Sequence, residues 1–160
     1  PKLTCRLKGY NKFSPKRIIL DKNLDIKLTS YIFQSAKKGN TILFYHSSNT
    51  KKIKVLKKKG LTLIKTKLNN EGLLDLKIVL KKLFTLGTRS LLVEGGDKIS
   101  KSLIKNRLID TFYLFQSPKI LRVNKINQGF TSFGILNGKY KKVSKITSKL
   151  AKDNITIYKR

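Results

Sequence analysis

The sequence predicts one α/β domain, with a mostly parallel central sheet, helices on both faces and an antiparallel hairpin at its C-terminal end. Three observations predict it. Short apolar runs rich in β-branched residues alternate with stretches whose apolar residues recur at helical spacing. Glycines stand where those helical stretches stop, as at Gly60 and Gly87. The end of the chain instead offers two strand-like segments, Lys142 to Ser148 and Ile155 to Lys159, around a turn at Lys152-Asp153-Asn154. No repeat or low-complexity linker interrupts residues 1–160, so no internal boundary is expected.

The elements follow in order. Leu3 to Leu7 reads as a short extended piece, followed by a loop carrying Gly9, Asn11 and Pro15. Arg17-Ile18-Ile19-Leu20-Asp21 reads as a buried strand, and Ser30 to Lys37 as a short helix. Thr41 to Tyr45 is a second strand. Thr50 to Lys59 is a helix with Ile53 and Leu56 inward and its lysines outward, a solvated face. Leu61 to Thr66 is a third strand. Asp75 to Leu86 is the clearest helix, with Leu76, Val79, Leu80 and Leu83 on one face. Ser90 to Glu94 is expected as a strand, Asp97 to about Asn106 as a helix, and Thr111 to Ser117 as a strand stopped by Pro118. Ligands of parallel sheets lie beyond the carboxyl ends of the strands, which puts Asp21, Tyr45-His46 and Glu94 near one rim.

Composition narrows the function. The 160 residues suffice for one core, and no apolar run is long enough to cross a membrane. No secretory pattern opens the chain, and Cys5 is the single cysteine, so a cytoplasmic setting is the expectation. The net charge of +29 suggests nucleic acid. However, only six of the 37 basic residues are arginine, and the lysines are spread along the whole chain. Specific nucleic-acid recognition leans on the arginine fork, so a basic nucleic-acid-binding domain is kept as the alternative reading. The chain contains no methionine, which suggests a beginning further upstream.

Few side chains can do chemistry. His46 is the only histidine, no nucleophile pairs with it, and a surface or capping role is favoured. No metal-ligand cluster is present in the sequence. The stretch Ser90 to Gly96, S-L-L-V-E-G-G, offers an acid, a two-glycine turn and a helix start, an arrangement that suits a phosphate. The same spacing also occurs as an ordinary strand-to-helix turn. It is not the G-x-G-x-x-G fingerprint of a Rossmann domain. A protein so poor in reactive groups suits an enzyme whose reactive atom comes with a cofactor.

These motifs together resemble a family. Pro1-Lys2-Leu3-Thr4-Cys5-Arg6 is similar to the P-x-L-T-x-R element of the riboflavin-biosynthesis pyrimidine reductases. Arg17 to Asp21 resembles their R-V-V-L-D strand, and Leu91 to Gly96 their L-V-E-G-G signature. Leu108-Ile109-Asp110 and Ser117-Pro118-Lys119-Ile120-Leu121 resemble their L-V-D-E and A-P-K-L-L-G segments. The resemblance implies a dihydrofolate-reductase-like fold and NADPH as cofactor. It implies reduction of the ribose of 5-amino-6-(5-phosphoribosylamino)uracil to the ribityl form, and often fusion behind a zinc-dependent deaminase. It also implies a homodimer and a chain that lacks the family's first strand and helix, so an inactive fragment is a further alternative.

Carried over by residue, the resemblance implies substrate contacts from Leu3, Arg6 and Glu94, with Arg6 on the phosphate. It implies cofactor contacts from Lys22, Gly96, Asp97, Lys98, Ile99, Ser100, Lys101 and Ser102, with the first turn of that helix over the pyrophosphate. Three residues depart from the family pattern. Asp97 stands where a small neutral residue is usual, and would repel a pyrophosphate unless it turns aside. Arg122 stands in place of a glycine. Lys22 replaces a small hydroxyl residue and can meet a phosphate.

Overall fold

The computed structural model describes residues 2–117, 130–147 and 153–160. They form two compact units, residues 1–89 and 90–160, each with its own core. Pro118 to Arg122, Ser148 and Lys152, which carried expectations above, lie outside the described residues.

The first unit is a parallel three-stranded sheet in the order β1-β2-β3, with β1 Arg17–Leu20, β2 Thr41–Tyr45 and β3 Thr62–Lys65. Its helices are α1 Tyr31–Gln34, α2 Thr50–Lys58 and α3 Leu76–Thr85. The central strand β2 is buried along its whole length, which explains the apolar run from Ile42 to Tyr45 after Thr41. Its side chains divide by alternation. Leu43 and Tyr45 join Phe33, Leu56 and Leu61 on the α1–α2 face, while Ile42 and Phe44 join Leu74, Val79 and Leu83 on the α3 face. Both faces are therefore helix-covered, as the sequence predicts. Leu43, Phe44 and Leu56 are completely buried, each a gain of about 1.5–3 kcal/mol.

Helix caps follow the sequence. Ser30, Asn49 and Asp75 each accept a backbone amide from the first turn of α1, α2 and α3. Gly60 closes α2 with φ of +100°, where a Cβ would press on the Lys38 backbone. Arg17 is buried at the start of β1 and donates to Ser35 Oγ at 2.7 Å and Thr41 Oγ1 at 2.8 Å. The N-terminal segment contains no strand at Leu3 to Leu7; it is a loop with a one-turn 3-10 helix at Asn11–Phe13.

The second unit holds α4 Asp97–Lys105, β4 Thr111–Gln116, α5 Phe133–Lys139, β5 Lys141–Thr147 and β6 Asn154–Lys159. Its sheet has the order β4-β6-β5 and is antiparallel throughout. The expected C-terminal hairpin is thus present as β5–β6, and β4 pairs along its other edge. One face packs Leu114 and Tyr158 against Ile104, Leu136 and Tyr140. The opposite face exposes Tyr113, Phe115 and Ile146.

One expected strand does not form. Residues 90–94 are irregular, and Leu92 is 80% exposed. The apolar run has strand character, but among the described residues no strand pairs with it, and a lone strand without a partner is not stable in water. Helix α5 was not expected. Its sequence, F-G-I-L-N-G-K, contains two glycines in seven residues, and buried Leu136 anchors it to the core.

Candidate functional site

The carboxyl ends of β1, β2 and β3 form a rim in the first unit. Asp21 does not point outward for chemistry; its carboxylate accepts the amides of Asp25 and Ile26, both at 2.8 Å. That cap fixes the turn in which buried Leu24 takes a left-handed φ of 65°. The Lys22 carbonyl accepts the amides of His46 and Ser47 at 2.9 and 3.0 Å, tying the ends of β1 and β2 together. The Lys22 ammonium donates to the Gly72 carbonyl at 3.1 Å.

His46 has its Nδ1 2.8 Å from the Thr66 carbonyl. A carbonyl only accepts, so Nδ1 carries the proton and Nε2 is the nitrogen left for other contacts. Between these ends lies an open cavity of about 490 Å³, lined by Lys22, Asn23, His46, Ser47, Ser48, Lys65 and Leu68. No carboxylate lines it. Ser47, Ser48 and Lys65 went unmarked in the sequence, where only their positions just past or at the end of strands could have signalled them.

In the second unit, Gly95 and Gly96 lead into α4. Gly96 is the N-cap with extended backbone, and among the described residues no side chain caps the helix and nothing lies within 4 Å of where a Cβ would stand. The first-turn amides and the positive end of the helix dipole thus meet no side-chain acceptor at the cap. Gly95 is required for a different reason: a Cβ there would run into the side chain of Ile99. Ser100 donates its amide to the Gly96 carbonyl, and the Ser102 carbonyl accepts the Asn106 side chain. Lys98 and Lys101 are exposed on the same first turns, adding positive charge.

Asp97 turns aside. Its carboxylate accepts the Thr131 amide at 3.0 Å, the Thr131 hydroxyl at 2.6 Å and the Ser132 hydroxyl at 3.4 Å. The Thr131 hydroxyl and amide hold its pKa below the ordinary carboxylate value against the opposing effect of burial, with lesser help from Ser132 and the charge of Lys101. The negative charge is committed to the residues that lead into α5.

Leu3, half-buried with a φ of 51°, exposed Arg6 and exposed Lys22 belong to the first unit. Glu94, also exposed, and Gly96 to Ser102 belong to the second, where the latter share the start of α4. Among the described residues no group of histidine, cysteine and acids could hold a metal ion, and no helix is long and apolar enough to cross a membrane.

Comparison with known proteins adds the family. Residues 1–151 match the RibD C-terminal domain. The riboflavin biosynthesis protein RibD of Aquifex aeolicus is 36% identical over 121 residues, 76% of this chain and 32% of that protein. The RibD of Actinobacillus pleuropneumoniae is 28% identical over the same length, 31% of that protein. The chain therefore spans about a third of the length of these curated relatives. Among solved structures, Acinetobacter baumannii RibD superposes with a TM-score of 0.65 at 19% identity, covering 91% of this chain and 37% of that one. A pyrimidine reductase-like protein of Corynebacterium diphtheriae gives 0.66 at 17% identity, covering 91% and 61%. Identities this low establish shared fold, which is the dihydrofolate-reductase-like α/β fold expected from the sequence.

Proposed function

Because the chain belongs to the RibD C-terminal domain family, we propose that it is the reductase part of a riboflavin-pathway enzyme. It reduces the ribose of 5-amino-6-(5-phosphoribosylamino)uracil to the ribityl chain with NADPH. The observation that carries this reading is the family match across residues 1–151, which spans every motif of the resemblance. The chemistry of the donor set is compatible with an anionic nucleotide. The start of α4 has an open approach at Gly96, exposed Lys98 and Lys101, and an acid turned away.

When bound, NADPH supplies the hydride that the opened ribose accepts at its anomeric carbon. The chain's own residues bind and orient. The amides and small side chains from Gly96 to Ser102 receive the pyrophosphate, Arg6 pairs with the substrate phosphate, and Leu3 and Glu94 bear on the pyrimidine and ribose. Positioning and charge stabilisation are the protein's share of catalysis. The part of the relatives' length beyond this chain leaves room for the fused zinc deaminase. The exposed apolar face of Tyr113, Phe115 and Ile146 gives the homodimer a surface on which to form.

The test is NADPH consumption by the full-length protein that carries this chain, with and without the phosphorylated pyrimidine. Consumption that requires the pyrimidine supports the reading; none under any condition removes it. The second reading, a nucleic-acid-binding domain, is favoured only by the net charge of +29. It predicts sequence-dependent binding that survives moderate salt, in contrast to the salt-sensitive adhesion of any polycation.

A further inference from the structure

Asp97 stands in the first turn of α4, a nine-residue helix, where a carboxylate is ordinarily drawn to the free amides of that turn. Bound there, it would occupy those donors and cancel the positive end of the helix. It is bound elsewhere. The Thr131 hydroxyl donates to Asp97 Oδ2 at 2.6 Å, the Thr131 amide to Oδ1 at 3.0 Å and the Ser132 hydroxyl to Oδ1 at 3.4 Å. Both carboxylate oxygens are engaged, one of them by a short charge-assisted bond.

The donors are themselves held. Thr131 and Ser132 lead into α5, and Ser132 is buried. Helix α5 runs alongside α4, because their starts meet at Asp97 and their ends meet where the Lys139 ammonium donates to the Lys105 carbonyl at 2.7 Å. Between these two ties, Ile104 and Leu136 are completely buried in one core. Donors fixed by packing in this way hold their acceptor to one geometry. The family resemblance assigns no part to Thr131 or Ser132.

We infer that Thr131 and Ser132 are positioning residues for the cofactor: they hold the Asp97 carboxylate off the first turn of α4, and so set how strongly that turn takes the pyrophosphate of NADPH. The inference rests on the proposed reductase reading, which puts the pyrophosphate at α4. Thr131 acts through Asp97 and needs no contact with the ligand itself.

The experiment is steady-state reduction by the full-length protein, with NADPH varied at saturating pyrimidine. T131V/S132A removes both hydroxyl donors. Its NADPH KM is expected to rise about two- to fivefold, the effect of one charge at a helix end, while kcat is unchanged. T131S, which keeps the hydroxyl, should match the wild type. In D97N there is no charge to hold, so D97N/T131V/S132A should show the KM of D97N alone. An NADPH KM unmoved in T131V/S132A overturns the inference. So does an equal rise in the D97N background, which would make the two hydroxyls a support of the fold or a direct ligand contact. Binding of NADPH to the same variants, followed by nicotinamide fluorescence, separates this inference from the reading beneath it. A protein that binds NADPH with the Asp97-dependent pattern and reduces nothing keeps the positioning pair and loses the proposed function. One that reduces its substrate without that pattern keeps the function and loses the pair, and one that neither binds nor reduces loses both.

Discussion

Gly95→Ala tests how the start of α4 is built. A Cβ at this position meets the β-branched side chain of Ile99, one helical turn into the seat proposed for the pyrophosphate. Backbone entropy alone would favour alanine by about 0.4–1 kcal/mol, because Gly95 does not occupy the left-handed region. Two costs oppose it. Forcing Ile99 off its rotamer costs about 0.5–1.5 kcal/mol, and overpacking typically costs about 1–3 kcal/mol. The clash wins, and the net loss is about 2 kcal/mol, a factor of roughly 30 in the local opening equilibrium. Amide hydrogen exchange in Asp97–Lys105 of the full-length protein reads this directly. Ile99→Ala removes the obstructing atoms, so in G95A/I99A the penalty of G95A should disappear, leaving a coupling of similar size. Unchanged exchange in G95A would refute the reasoning, and so would simple additivity in the double variant.

Other predictions concern the two units separately. Arg17→Leu removes two short charge-assisted hydrogen bonds from a site that is 4% exposed. The loss of those bonds outweighs the relief of a desolvated cation, for a net cost of about 2 kcal/mol, read as a lower urea midpoint for exchange in β1 and β2; an unchanged midpoint contradicts it. Asp97 should titrate below its ordinary value of 3.8. Because the folded state lowers this pKa, its stabilising contribution is complete above the ordinary value and is lost as pH falls through the folded midpoint. Carboxyl carbon shifts by NMR check this, and Thr131→Val should move the midpoint upward. Phe115→Lys and Ile146→Lys place charge on the apolar sheet face and should convert a dimer to a monomer in light scattering; a dimer that persists places the interface elsewhere.

Much of the first unit was legible because its signals are local. The lysine-outward pattern of α2, the apolar face of α3 and the Ile42 to Tyr45 run of β2 each state a burial pattern that the packing repeats. The Leu91–Val93 run is different. Its strand character is genuine, but a strand also needs a partner, and pairing is not written in the segment itself. Helix α5 shows the converse: poor intrinsic propensity overcome by one buried leucine and the tyrosine that follows, Leu136 and Tyr140. In the candidate site, the glycine turn was readable as a motif, whereas the cavity at the rim was not. It joins residues 22, 46 to 48 and 65, which only the parallel register of three strands brings together. Asp97 opposes an anion by its charge alone, and it is Thr131, more than thirty residues away, that holds its carboxylate aside.

The most direct measurement of the central claim follows the hydride itself. The full-length protein is supplied with NADPH deuterated at the transferable nicotinamide position and with 5-amino-6-(5-phosphoribosylamino)uracil, and the product is examined by mass spectrometry. The proposed function predicts a ribityl product carrying one deuterium at the former anomeric carbon. A ribityl product without deuterium, or no ribityl product at all, would contradict it.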